Sequence, residues 1–143
     1  MTATLRRWAL AAAIFLAVAP SAASASDIAG LWKNDAGSIE VRFAPCGPAM
    51  CATLVTSTKI KADPNVRDEK NKDASQRGRL LKGLTFIHGM RGGPTEWTGG
   101  HLYFWGTGDT YAATMKLTQA GALALKVCPA VLLCQTQVLK RAQ

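Results

Sequence analysis

Four polar residues close together, Asp68, Asn71, Arg77 and Arg79, form the first group whose types and spacing suggest chemistry. Two neighbouring guanidiniums can grip a carboxylate or a phosphate through paired hydrogen bonds, so an anionic ligand at this loop is one reading. The same residues can also satisfy one another, with Asp68 pairing Arg77 or Arg79 and Asn71 capping a turn. A second group is aromatic: Trp97, Tyr103, Trp105 and Tyr111. Side chains of this kind line pockets for apolar or sugar-like ligands, or they fill a core.

His88 and His101 are the only two histidines. A hydrolase needs a nucleophile, a base and an orienting group within reach of one another. Ser38, Ser57 and Ser75 sit in no nucleophile motif, and neither HExxH nor GxSxG occurs. Nothing in the sequence brings Glu96 and Asp109 together as a carboxylate pair. An enzyme is therefore not the expected reading, and no catalytic residue, metal or cofactor is assigned.

Cys46 and Cys51 are five positions apart, and Cys128 and Cys134 are six apart. Redox catalysis would want CxxC, and zinc would want histidines at ligand spacing from the cysteines, so a structural role is expected for all four. Three pairings are open, and the two local ones are favoured because each would staple a tight turn. Loops this short give about 2 kcal/mol each by chain entropy.

The start of the chain fits an export signal. Arg6 and Arg7 precede an apolar run of 12 residues at 8–19, Pro20 breaks it, and Ala23-Ser24-Ala25 offers small residues for cleavage before Ser26. A bilayer span needs roughly 20 apolar residues, so this run is too short to cross one. The expected organisation is a signal peptide at 1–25 and a single domain at 26–143, in the periplasm or secreted, with no transmembrane span. The mature part holds 15 basic and nine acidic residues, a net charge of +6. That balance favours acidic surfaces such as anionic lipid or polysaccharide, and nucleic acid is the least expected partner. Nine of the basic residues fall within 59–91, against Asp63, Asp68, Glu69 and Asp73.

The elements that must position these residues read as strand after strand. Ile39, Val41 and Phe43 alternate with polar neighbours, which puts one face inward. Residues 102–105 form an aromatic strand, with Tyr103 and Trp105 on the face opposite Phe104. After the turn at Gly106 and Gly108, Tyr111, Ala113, Met115 and Leu117 share a face, as do Leu123, Leu125 and Val127. Residues 60–79 break this rhythm and read as one long polar loop, with a helical turn conceivable at 69–76. The fold class is all-β: a small antiparallel up-and-down barrel of about eight strands, which removes exposed strand edges. With so few residues the barrel is expected to be shallow, its interior either filled or holding one small ligand.

Gly30-Leu31-Trp32 resembles the Gly-x-Trp opening of the calycins, the lipocalin-like barrels. That resemblance implies a Trp32 that plugs the barrel floor and an Arg from the last strand over its ring, here Arg141. Nearly the whole mature chain is also similar to the exported bacterial family called domain of unknown function 2147. The match rests on Gly30-Leu31-Trp32, Cys46-Gly47 to Cys51, and Asp68, Asn71, Arg77 and Arg79 running into residues 80–84. It continues through Trp97-Thr98-Gly99-Gly100, Tyr103, Gly108, Tyr111 and the stretch from Cys134 to Arg141. Leu139 stands where that family usually carries Trp.

The expected function is binding of a small apolar, amphipathic or anionic ligand, or of an envelope protein, without catalysis. The alternative is a module that binds anionic polymer through the basic loop 59–91. An enzyme acting on an envelope polymer comes third, with the two histidines as its acid–base candidates.

Overall fold

The computed structural model describes residues 28–143, so the export signal read at 1–25 lies outside the described residues. Eight strands follow one another: β1 (Gly30–Asn34), β2 (Glu40–Cys46), β3 (Ala49–Thr56), β4 (Thr85–Gly92), β5 (Glu96–Phe104), β6 (Asp109–Leu117), β7 (Leu123–Ala130) and β8 (Leu133–Arg141). Each pairs antiparallel with the next, and β8 returns to β1 to close a barrel. The closing seam is short, with Trp32, Lys33 and Asn34 opposite Arg141, Lys140 and Leu139. Beyond Asn34 the β7–β8 hairpin runs on without a β1 partner, as a projecting wall.

Strand alternation decides what fills the barrel. At the end where β1 begins and β8 finishes, Trp32, Phe43, Met50, Met90, Trp97 and Met115 are buried and form a solid floor. Full burial of each such side chain contributes about 1.5–3 kcal/mol relative to exposure. Gly100 is required here, because a Cβ at that position would collide with the Met90 side chain and the His88 carbonyl. The opposite end is the mouth. It is ringed by the β1–β2, β3–β4, β5–β6 and β7–β8 connections.

Both disulfides are local. Cys46–Cys51 closes the β2–β3 turn at the floor end, and Cys128–Cys134 bridges the neck of the β7–β8 hairpin at the mouth.

The β3–β4 connection, residues 57–84, departs from the long loop read in the sequence. It opens with a short helix, α1 (Thr58–Ala62), and holds a 3-10 turn at Ala74–Gln76. The Ser57 hydroxyl accepts the Ile60 amide at 3.3 Å, an N-cap, and buried Ile60 anchors the turn in the core. The Asp73 carboxylate accepts the Ser75 amide at 2.9 Å and caps the second turn, which is shorter than the 69–76 span read in the sequence. Arg67 and Leu80 form an isolated antiparallel bridge, so the segment doubles back on itself as a strap. Local side-chain caps and three buried anchors, Ile60, Leu81 and Leu84, give this polar stretch its order.

Candidate functional site

The strap is held by one buried carboxylate. Asp68 is 1% exposed and sits over the outer face of β5. The Tyr103 hydroxyl donates to its Oδ1 at 2.6 Å. Asn71 Nδ2 and Arg79 Nε each donate to Oδ2 at 2.9 Å, and Arg79 Nη2 lies 2.8 Å from the same oxygen. Backbone bonds lock the arrangement, since the Asp68 amide donates to the Arg79 carbonyl at 3.0 Å. Arg79 also lies over the Tyr103 ring at 5.2 Å, within cation–π range. Arg77 turns elsewhere, and its Nε donates to the Asn71 carbonyl at 2.7 Å. Burial, followed by the hydrogen bond to Asp68 and its charge, pushes the Tyr103 hydroxyl up to about 12, while Arg79 pulls the other way.

The strap also packs on the mouth. Gly108, in the β5–β6 turn with φ +76°, leaves no room for a Cβ, which would collide with the Lys70 carbonyl. Lys72 pairs with Asp109 at the same place. The hydrogen bond and charge of Lys72 hold the Asp109 carboxyl below its ordinary value.

Inside the mouth lies a cavity of about 400 Å³. Its walls are Ile39 just before β2, Val41 of β2, Phe86 of β4, Leu102 and Phe104 of β5, Leu125 and Val127 of β7, and Leu139 of β8. Trp105 meets Phe86 edge-on at 5.4 Å between ring centroids and closes one side. Asn34, Thr107, Tyr111, Gln135 and Gln137 supply the polar lining, and no lining residue is charged. Asn34 Nδ2 donates to Ser38 Oγ at 2.9 Å and its Oδ1 accepts the Ile39 amide at 3.1 Å, so the β1–β2 turn braces that edge. The cavity falls within the roughly 300–1,000 Å³ span of small-molecule sites.

The structure thus separates the residues that the sequence grouped. Trp105 and Tyr111 line the cavity. Asp68, Asn71, Arg79 and Tyr103 form the strap clasp, with Arg77 on its backbone. Trp97 lies in the floor, 1% exposed, opposite Met115 of β6. Trp32 lies there too, donating from Nε1 to the Ile28 carbonyl at 2.8 Å, with Arg141 over its ring at 4.7 Å. Gly30, at φ +116°, lets the chain enter β1 beneath that guanidinium. His88 and His101 face each other across β4 and β5 on the outer wall, both exposed and neither lining the cavity.

Trp32 plugs the barrel floor beneath Arg141 of the last strand. The profile of a family described as an uncharacterized protein conserved in bacteria, domain of unknown function 2147, matches residues 30–141. The chain belongs to this family. Among solved structures, protein HP1028 from the human pathogen Helicobacter pylori, described as belonging to the lipocalin family, superposes with a TM-score of 0.71. The two are 19% identical, over 81% of this chain and 83% of that one, a likeness of fold. No curated protein matches the sequence significantly.

Within this domain of unknown function 2147 barrel, several cavity residues carried no sequence signal as a site. Phe86, Leu102, Phe104, Gln135, Gln137 and Leu139 line the cavity without belonging to any group singled out in the sequence. The alternation that places Phe104 opposite Tyr103 was the usable clue: Phe104 turns to the cavity and Tyr103 to the strap.

Proposed function

We propose that this chain is a lipocalin-like binding protein that takes one small apolar or amphipathic ligand into the mouth of its barrel without chemical conversion. One observation carries the reading: an uncharged, mainly apolar cavity of about 400 Å³ above a solid floor. Apolar walls supply affinity in proportion to the area removed from water, and the few polar groups at the rim would orient a hydroxyl, carbonyl or amide. A formally charged group buried among these walls would lack a partner, so a charged ligand would keep its head at the mouth.

The proposal includes export. An arginine-led apolar start, small residues before Ser26 and two disulfides fit an oxidising compartment, periplasmic or extracellular, with the barrel domain spanning 26–143. Organic extraction of the protein purified from its exported fraction, followed by mass spectrometry, tests both parts. A recurring apolar or amphipathic compound and a chain beginning at Ser26 are expected. A protein retained in the cytoplasm, or one that retains no apolar compound under mild purification, contradicts the corresponding part.

Anionic polymer on the basic loop is the weaker reading. Several of its cations serve the protein itself: Arg79 binds Asp68, Arg77 binds the Asn71 carbonyl, Lys61 binds the Gly37 carbonyl at 3.0 Å and Lys72 binds Asp109.

A further inference from the structure

The β7–β8 hairpin ends in a feature that the barrel does not need. Val131, Leu132 and Leu133 form its tip and are 94%, 93% and 69% exposed. Ala130 pairs with Leu133, which leaves Val131 and Leu132 as the two turn residues. Two-residue hairpin turns favour Asn, Asp and Gly, whose backbones suit the turn and whose side chains suit water. A turn built instead from the most apolar side chains breaks the local rule and contributes nothing to the core, which is how functional positions commonly stand out.

Two further observations point to what meets this tip. Cys128–Cys134 bridges the hairpin directly below it, so the apolar residues are held out from the barrel. The same end of the barrel is basic. Of the eight basic residues in the strap, residues 57–84, Lys61, Arg67, Lys72, Arg77 and Arg79 hold groups of the protein, which leaves Lys59, Lys70 and Lys82 exposed and unengaged among the described residues. The Lys70 backbone packs on Gly108 of the β5–β6 turn, and β6 leads from that turn directly alongside β7. Asp109, the acidic residue of that rim, is already paired with Lys72. An apolar point on a barrel end whose strap carries net positive charge on one side matches a surface that is apolar inside and anionic outside.

We propose that the tip formed by Val131, Leu132 and Leu133 docks the protein on an anionic lipid bilayer, with the strap lysines on the headgroups and the three side chains among the acyl chains. Docking does not depend on the cavity reading. It does place the cavity mouth against the bilayer, where an amphipathic ligand would be exchanged, and that consequence rests on the cavity reading.

Co-sedimentation with phosphatidylglycerol-containing vesicles, compared with phosphatidylcholine vesicles, tests the proposal. Wild-type and variant chains are produced and processed identically, so any contribution of the N-terminal segment cancels. The wild type should favour the anionic vesicles and lose part of its binding with added salt. Leu132→Asp should lower the partition coefficient by about tenfold or more, the effect of withdrawing one large apolar side chain. Lys70→Glu with Lys82→Glu should remove the preference for anionic vesicles while weak binding to neutral ones persists. Thermal unfolding of the Leu132→Asp chain should match the wild type, since Leu132 is 93% exposed. Equal vesicle binding by wild type and Leu132→Asp overturns the proposal. So does a wild-type dimer in light scattering that Leu132→Asp abolishes without vesicle binding by either chain, because the tip would then serve a second copy.

Discussion

The Tyr103 hydroxyl meets Oδ1 of Asp68 at 2.6 Å, joining the outer face of β5 to a strap residue 35 positions earlier in the chain. Arg79 and Asn71 occupy the other oxygen of the same carboxylate. One fully buried acid therefore gathers three donors, and the strap is ordered around it. Asp68→Ala would leave the Tyr103 hydroxyl and the Asn71 amide without their acceptor and Arg79 without its counter-ion. The expected loss is about 3 kcal/mol, the usual cost of breaking a buried pair from one side, and a lower urea midpoint reads it. Arg79→Ala should cost less, because the part-exposed guanidinium is lost while Asp68 keeps the Tyr103 and Asn71 donors.

Stability should fall at alkaline pH through the same pair. Burial and Asp68 push the Tyr103 hydroxyl up to about 12 in the folded protein. The unfolded chain releases this proton near an ordinary value of about 10. The folded state thus holds the proton more tightly, so the contribution is complete below about pH 10 and is lost as pH climbs toward 12. Phenolate absorbance followed against pH should show this late step, and Tyr103→Phe should remove it and flatten the stability profile across that window.

Gly108→Ala tests how the strap seats on the mouth. A Cβ there meets the Lys70 carbonyl, and the φ of +76° already disfavours any side chain. The substitution should cost about 1 kcal/mol or more. Protease cleavage within residues 57–84 should accelerate, while cleavage elsewhere stays slow.

At the floor, Arg141 over Trp32 at 4.7 Å closes the barrel seam. The Arg141 Nη1 also donates to the Ala29 carbonyl at 3.0 Å. Arg141→Ala should lower stability by about 1–2 kcal/mol from the lost cation–π contact and hydrogen bond. Near-ultraviolet dichroism should change as the indole loosens, with the disulfides intact.

Much of this architecture could be read from side-chain alternation. Val41 and Phe43 share the inner face of β2, with Ile39 just ahead of the strand on the same cavity, and Leu123, Leu125 and Val127 share that of β7, because a pleated strand has a fixed period of two. Close spacing made the two disulfides legible in the same way. The strap was not, because it has no period: caps at Ser57 and Asp73 and a distant tyrosine decide its shape. Trp105 shows where alternation stops helping. The strand ends at Phe104, so Trp105 sits in the turn and can reach the same cavity as its neighbour. Membership of Gln135 and Gln137 depends on where β8 meets β1, a long-range register that no local pattern encodes.

The account stands on an apolar space that a ligand can enter, and a titration series of straight-chain alcohols measures that space directly. Each added methylene should tighten binding about fourfold, the equivalent of about 0.8 kcal/mol, until the cavity is full and the gain stops. Val127→Trp, which fills the cavity from the β7 wall, should abolish the series with little change in thermal stability. Affinity that does not grow with chain length, or that survives Val127→Trp unchanged, would contradict the account.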